Sequence, residues 1–231
     1  MFTLTATLLR RPAAALSASL LALALAGCQA LPTPPKEPVR YDLGSVQVAA
    51  TDAAAAPRTL VLADIQAPWQ AEGSSTAMHY RLAYDQPHAL FAYSLASWRL
   101  PPELLVQERL RQWLSQGGRT VLSAEGGRIP PLVDAAGATH PPTLYLALEE
   151  FHQSFADAQH SHASVRLRAT VTGGQGGAEV LLGQRLFVAT PPAPSADAAG
   201  GAQALATAVD QIAAQLLPWL QQLSPQPQSQ P

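Results

Sequence analysis

Hydrophobic and polar positions alternate most regularly in the last third of the chain. From Val165 to Thr172 every second residue is apolar, and the residues between them are Arg or Thr. A period of two predicts a β-strand with one buried and one solvated face. The apolar segment 179–190 follows the glycine-rich stretch GGQGGA and predicts a second strand, paired with the first as a hairpin.

Further strands are predicted from short apolar runs bounded by turn residues. A first strand opens at Tyr41-Asp42-Leu43. The other runs are 59–65, 78–84, 89–98, 120–124 and 143–151. The residues Asp-Gln-Pro-His between the second and third of these runs predict a hairpin turn.

A period near 3.6 predicts two helices. The first follows Pro101-Pro102 and extends to residue 116, and the second begins at about Ala202. The apolar faces of the two helices are Val106, Leu110, Trp113 and Leu114, and Leu205, Val209, Ile212, Leu216 and Leu220. Pro218 is expected to kink or fray the end of the second helix. Strands in runs with interspersed helices predict an α+β fold: a single domain with a mixed or antiparallel sheet and helices packed on one face.

The amino-terminal segment has the pattern of a secretory signal peptide. Arg10 and Arg11 precede an apolar run that is too short to span a bilayer. The residues Leu25-Ala26-Gly27-Cys28 resemble a bacterial lipobox, which implies that Cys28 carries a lipid and that residues 1–27 are removed. The alternative is a buried free cysteine in an ordinary helix. Gln29 follows Cys28, and the absence of Asp at that position favours the outer membrane.

Composition divides the rest of the chain into three parts. Residues 28–40 form a proline-rich linker, with four prolines in residues 29–39, and such a segment is semi-rigid and extended. Residues 41–222 form the domain. Residues 223–231 contain almost nothing that could be buried and are expected to be disordered.

Charge argues against nucleic acid as a partner. Without residues 1–27 the chain has 12 basic and 16 acidic residues, and it has no basic stripe. Cys28 is the single cysteine, so no internal disulfide can form.

The strongest candidate for a metal site is a group of histidines. His152, His160 and His162 lie close together in sequence, with Asp157 between them. Zinc needs three or four such ligands. The alternative, which we favour, is a polar hairpin loop that happens to be rich in histidine.

For the other candidate residues, a structural role is a better explanation than a catalytic or ligand-binding role. Ser94 and Ser97 lie in a predicted strand without a local base, and GGQGG lacks the lysine of a phosphate-binding loop. Glu149 and Glu150 are neighbours on a strand, so they are expected to point to opposite faces. We expect Trp98 and Trp113 in the core. The chain is therefore predicted to have no catalytic, cofactor-binding or metal-binding residues and not to be an enzyme.

The order of these features resembles the ABC-type transport auxiliary lipoprotein family, which includes paraquat-inducible protein C. The resemblance begins with the lipobox, the linker and Tyr41-Asp42-Leu43, and it continues through later segments of the domain. These are Arg81-Leu82-Ala83-Tyr84, Phe91-Ala92-Tyr93, Ser97-Trp98, Pro101-Pro102 with the helix to Ser115, the strand with Leu146, Leu148, Glu149 and Phe151, and the closing helix. Arg99-Leu100 departs from the family pattern.

The resemblance implies a non-catalytic lipoprotein that assists an ABC transporter carrying a mammalian-cell-entry-type protein. The expected partners are the membrane, through Cys28, a periplasmic mammalian-cell-entry-type protein and further copies of the chain. The expected cargo is lipid or another apolar substrate, and the expected location is the outer membrane, facing the periplasm. Two alternatives are a scaffold lipoprotein of another outer-membrane machine and, less favoured, a lipid-anchored hydrolase.

Overall fold

The computed structural model describes residues 36–46, 59–70, 75–116, 119–124, 141–175 and 178–223. Within these ranges the chain forms eight strands and two helices, all in one compact unit that begins at Pro38. The strands are β1 (Val39–Tyr41), β2 (Thr59–Ala63), β3 (Ala77–Leu82), β4 (Phe91–Trp98), β5 (Thr120–Ala124), β6 (Thr143–Phe155), β7 (Ser161–Gln175) and β8 (Ala178–Ala189). The helices are α1 (Pro102–Leu114) and α2 (Ala198–Leu223).

Strand β6 organises a single mixed sheet. Along one edge it pairs antiparallel with β7, which pairs antiparallel with β8. The other edge is shared, because β2 pairs parallel to β6 near Thr143 and β3 pairs parallel to it near Phe155. Beyond these, β5 adds to β2, β4 adds to β3, and β1 adds to β4. The α+β prediction is therefore confirmed, with a mixed rather than a purely antiparallel sheet.

The predicted apolar faces of both helices form the core. Helix α2 packs on β7 and β8, where the ring of Trp219 meets Phe187 edge-on at 5.6 Å. Its predicted stripe from Leu205 to Leu220 is buried, and so are Val106, Leu110 and Leu114 of α1. The alternation predicted for β7 is also confirmed, because Val165, Leu167, Ala169 and Val171 are buried. Neither helix of the described region is long and apolar enough to cross a membrane.

The first strand lies earlier in the chain than predicted, because it begins at Val39 and not at Tyr41. Strand β1 stops at Tyr41, so Asp42 and Leu43 lie beyond it. The side chain of Asp42 accepts a hydrogen bond from the backbone N–H of Gly44 at 2.8 Å, and Gly44 has a φ of 67°. A short polar side chain and a glycine in the left-handed region form a local turn, which competes with the extended strand.

The second helix starts earlier than predicted. It starts at Ala198, where Asp197 accepts a hydrogen bond from the backbone N–H of Gly200 at 2.8 Å and so caps the first turn. It also continues past Pro218 to Leu223. The fraying expected at Pro218 is not observed, because Trp219 and Leu220 are buried and hold the last turn on the sheet.

Strand β6 extends further than its apolar pattern. The predicted strand ended at residue 151, whereas β6 continues to Phe155 and the turn to β7 is confined to 156–160. His152 and Ser154 are polar but buried, and they pair with Ser164 and His162 of β7. Polar residues on both faces disrupted the apolar alternation, so the pattern alone could not identify this part of the strand.

Candidate functional site

The predicted lipid-bearing residue, Cys28, lies outside the described residues, and so do the predicted signal peptide and residues 224–231. The features below therefore belong to the domain that follows the linker.

The three histidines weighed as a candidate metal site do not form one in the fold. His160 lies in the turn 156–160, where its Nδ1 atom is 2.8 Å from Oδ2 of Asp157. His152 and His162 lie on different strands and are partnered in register by Ser164 and Ser154. No group of three His, Cys, Asp or Glu side chains among the described residues could hold a metal ion. His152 and His162 also lie in strands rather than in the polar loop that we favoured as the alternative.

Burial keeps His152 neutral. Only 7% of its surface is exposed, and burial, assisted by the positive charge of Arg81, lowers its pKa to about 4. A neutral imidazole at that position suits a packed sheet face. Asp157 differs, because hydrogen bonds from the backbone of Gln159 and from His160 lower the pKa of this exposed carboxyl.

Glu149 and Glu150 lie on the same face of the sheet, so the prediction of opposite faces was wrong. The register of β6 against β7 shifts between Leu148 and Glu150. Such a β-bulge places one extra residue opposite a single partner residue and changes the alternation of side chains. Each carboxylate then reaches its own arginine, Glu149 at 2.6 Å from Nε of Arg168 and Glu150 at 3.5 Å from Nε of Arg166.

We define the outer face as the side of β6, β7 and β8 that points away from α2. Phe187 contacts Trp219 on the helix side, so its strand neighbours Leu186 and Val188 lie on the outer face. Leu186 is paired with Arg168 and Val188 with Arg166. The outer face therefore places an apolar row beside a row of ion pairs.

Strand β8 is an edge strand with exposed apolar side chains. In the described part of the chain it pairs with β7 alone. Its exposed large residues are Val180, Leu181, Leu186 and Val188, with 48%, 62%, 37% and 48% of their surfaces accessible. An exposed apolar edge can pair with another chain, so proteins usually protect it or use it as an interface. We name the free edge of β8 together with these four residues, which lie on both faces of the strand, the β8 surface.

A second polar cluster lies between the sheet and the start of α2. Gln153 is fully buried, accepts a hydrogen bond from the hydroxyl of Tyr93 at 2.9 Å, and donates one to Ser161 at 2.8 Å. Burial raises the pKa of Tyr93, which keeps its hydroxyl protonated as a donor. Gly201 of α2 lies directly on this amide, since a Cβ there would be 2.0 Å from Oε1 of Gln153. The cluster has a structural role in fixing the start of α2 on β6.

A third cluster ties the two helices to the segment that follows β1. Asp210 of α2 accepts hydrogen bonds from Nε and Nη2 of Arg109, both at 2.7 Å, and from Nε1 of Trp113 at 2.7 Å. Arg109 also donates to the backbone carbonyls of Leu43 and Gly44. A planar guanidinium with five donors is suited to hold three segments at once.

A pocket of about 200 Å³ lies beside this cluster. Its charged lining residues are two acids and two bases, Asp42, Glu108, Arg99 and Arg109. Arg99 bridges Asp42 at 3.7 Å and Glu108 at 3.0 Å, so the charges of the lining neutralise one another. The pocket therefore favours neither anionic nor cationic ligands.

Sequence reasoning missed Arg109, Asp210 and Gln153. One signal was present: Asp210 is the single charged residue in the 26 residues of α2, and it falls beside the apolar stripe. A lone charge at such a position requires a buried partner. Its partner is 101 positions away in sequence, so the pairing could not be read from local spacing.

Comparisons with known proteins place the fold but not a family. No protein-family model matches the chain, and no curated protein matches its sequence. The solved structure of protein XCC0632 from Xanthomonas campestris, described with the family DUF330, is similar at a TM-score of 0.55 and 18% identity. That match covers 83% of this chain and 90% of the other.

An uncharacterized protein of known structure is equally similar. Its TM-score is 0.55 at 15% identity, over 80% of this chain and 99% of the other. A lipoprotein of Neisseria meningitidis, GNA1162, matches at a TM-score of 0.27 and 9% identity, which is too low to carry an argument. The first two likenesses show that the chain shares its fold with other proteins.

Proposed function

We propose that the protein is a lipid-anchored lipoprotein of the bacterial envelope and a non-catalytic auxiliary component of an ABC-type transport system. The system is linked to a mammalian-cell-entry-type protein and carries lipid or another apolar substrate. Cys28 holds the protein in the membrane, which we propose to be the outer membrane, and the domain faces the periplasm.

The anchor is supported by the residues around Cys28. The lipobox-like residues 25–28 follow a short apolar run and precede a proline-rich linker. One acyl chain binds a membrane only marginally, whereas several on one cysteine hold firmly. In cells fed labelled fatty acid, the wild-type chain should incorporate the label and the Cys28→Ala variant should not. Persistent labelling of the variant would contradict the anchor.

The observation that carries the transport role is the order of elements after the linker. Trp98 ends β4, Pro101-Pro102 leads into α1, and α2 closes the domain on the sheet, as the resemblance to the auxiliary lipoproteins requires. The fold is shared with XCC0632 over most of the chain.

A partner protein requires a surface, and the β8 surface has the properties of one. It combines a free strand edge with apolar side chains next to Arg166 and Arg168. Exposed apolar groups on a sheet edge are stabilised when a partner strand or apolar surface covers them. We therefore assign the β8 surface to the contact with the mammalian-cell-entry-type protein.

Site-specific photo-crosslinking in living cells tests this assignment. A crosslinking amino acid at Leu181 or Val188 should capture the mammalian-cell-entry-type protein. The matched control is Gln211 of α2, whose side chain is exposed to solvent. Capture of an outer-membrane assembly protein would favour the scaffold alternative, and equal capture from Gln211 would contradict the β8 surface as the contact.

A further inference from the structure

Two turns meet at one end of the sheet, which we name the hairpin end. Strands β3 and β6 are parallel, and both run towards this end. The turn 83–90 between β3 and β4 therefore lies beside the turn 156–160, and the backbone N–H of Ala83 bonds to the carbonyl of Phe155 at 2.9 Å.

Strand β1 begins on the side that faces the hairpin end. Strand β1 is parallel to β4, with Val39 opposite Ala96, and β4 starts at Phe91 next to the turn. Strand β1 therefore runs away from the hairpin end, and Pro38 lies on the side of Val39 that faces it. Val39 is paired with Ala96, which is five residues along β4 from Phe91. This separation along the strand is about 17 Å at roughly 3.4 Å per residue.

The turn 83–90 exposes two large apolar side chains. Tyr84 and Leu90 have 54% and 44% of their surfaces accessible. The turn is well ordered, because Nη1 of Arg81 donates to the carbonyl of Pro87 at 2.6 Å and two backbone N–H groups bond to the carbonyl of Leu82. Two apolar side chains on an ordered turn form a preorganised surface.

We infer that Tyr84 and Leu90 at the hairpin end rest on the lipid bilayer that holds Cys28. The inference depends on the proposed lipid anchor. Eleven residue steps separate Cys28 from Val39, about 34 Å at roughly 3.1 Å per residue for a proline-rich chain. That reach exceeds the roughly 17 Å between the level of Val39 and the start of β4, so the linker can bring the turn to the bilayer.

The chemistry of the turn suits the interface of a bilayer. Tyrosine is enriched at this depth because its ring is apolar and its hydroxyl remains hydrated, and leucine beside it enters the acyl region. Residues 83–90 carry the titratable side chains of Tyr84, Asp85 and His88 and no lysine or arginine, and the guanidinium of Arg81 lies against the carbonyl of Pro87. The turn has one cation beside it, Arg81, and one anion within it, Asp85, so the contact depends mainly on apolar burial. The anchor keeps the turn at high local concentration, so a weak contact is sufficient.

The single native cysteine makes a direct test possible. Cys28 is consumed by lipidation, so an environment-sensitive dye reacts only with an introduced cysteine. The variants Tyr84→Cys, Leu90→Cys and, as a control, Leu181→Cys are labelled in the full lipidated chain. Leu181 is also exposed, but it is paired with Thr172 of β7, eleven residues and roughly 35 Å along the strand from Ser161 at the hairpin end.

The labelled proteins are reconstituted into vesicles of phosphatidylethanolamine and phosphatidylglycerol, with and without brominated acyl chains. We expect dye emission at positions 84 and 90 to shift to the blue and to lose intensity in brominated vesicles, with no change at position 181. Equal quenching at all three positions, or quenching at position 181 alone, would overturn the inference. A blue shift that does not depend on bromine would indicate a protein contact and would also overturn it.

Flotation of the vesicles separates this inference from the proposed anchor. If the chain does not float with the vesicles, the anchor itself is wrong. If it floats without quenching at positions 84 and 90, the anchor stands and the bilayer contact is wrong. Thermal unfolding of each labelled variant confirms that the substitution leaves the fold intact.

Discussion

Substitution of Asp210 tests directly how much its cluster of hydrogen bonds stabilises the fold. It is the single charge of α2, and it accepts three hydrogen bonds from α1, two from Arg109 and one from Trp113, each at 2.7 Å. The Asp210→Ala substitution leaves a guanidinium whose side chain is 8% exposed without its counter-ion and also leaves the indole N–H without an acceptor.

The expected loss follows from the burial of the pair. Removing one member of a buried ion pair costs about 3 to 5 kcal/mol. Asp210 is 32% exposed, so solvent screens part of the interaction, and Arg109 keeps its bonds to the carbonyls of Leu43 and Gly44. We therefore expect the free energy of unfolding to fall by about 2 to 4 kcal/mol. For a domain of this size, that corresponds to a decrease in Tm of about 4 to 16 °C.

Chemical denaturation followed by circular dichroism measures this change. The matched control is Glu108→Ala, which breaks a pair with Arg99 in which both side chains are about half exposed, and it should cost at most about 1 kcal/mol. The double variant Arg109→Met, Asp210→Leu removes both charges and should recover part of the loss, because the indole N–H of Trp113 and the carbonyls of Leu43 and Gly44 still lack their partners. If Asp210→Ala costs no more than Glu108→Ala, the three-segment cluster does not stabilise the domain as described.

Three further predictions concern the same core. Leu216 is fully buried, so Leu216→Ala should cost about 2 to 5 kcal/mol and lower the Tm by several degrees; an unchanged melting curve would place the stripe of α2 outside the core. Gly201→Ala, which in an ordinary helix stabilises by about 1 kcal/mol, should destabilise here because its Cβ would meet the amide of Gln153, and a gain in Tm would contradict the contact. His152 has a folded pKa of about 4, below the ordinary 6.5, so the unfolded chain binds a proton that the folded chain does not. Stability should therefore fall by up to about 3 kcal/mol as pH decreases from 6.5 to 4, and His152→Gln should show a correspondingly smaller fall.

Local patterns were sufficient for most elements of the fold. The period of two in β7 and the apolar stripe of α2 identify their elements because each has one face on a shared core. They were not sufficient for the order of the strands. Strand β6 shares one edge between β2 and β3, and both pairings join segments that are more than 70 residues apart. Such contacts depend on the whole chain, and no local spacing encodes them.

The polar contacts were harder to predict than the apolar core. The bulge between Leu148 and Glu150 reversed the expected orientation of one carboxylate, and alternation alone cannot locate such an extra residue. Gln153 and His152 are polar residues inside a buried strand. Gln153 accepts a hydrogen bond from Tyr93 and donates one to Ser161, so its burial depends on polar partners rather than on hydrophobicity.

Binding of the partner to the purified domain tests the central proposal most directly. The chain without its lipid is mixed with the periplasmic part of the mammalian-cell-entry-type protein, and the mass of the complex in solution is measured. The wild-type chain should form a complex, whereas Leu186→Glu with Val188→Glu, which places charges on the β8 surface, should not. The variant Gln211→Glu, on the solvent-exposed side of α2, should bind as the wild type does. A wild-type chain that forms no complex, or a β8 variant that binds as tightly as wild type, would contradict the account.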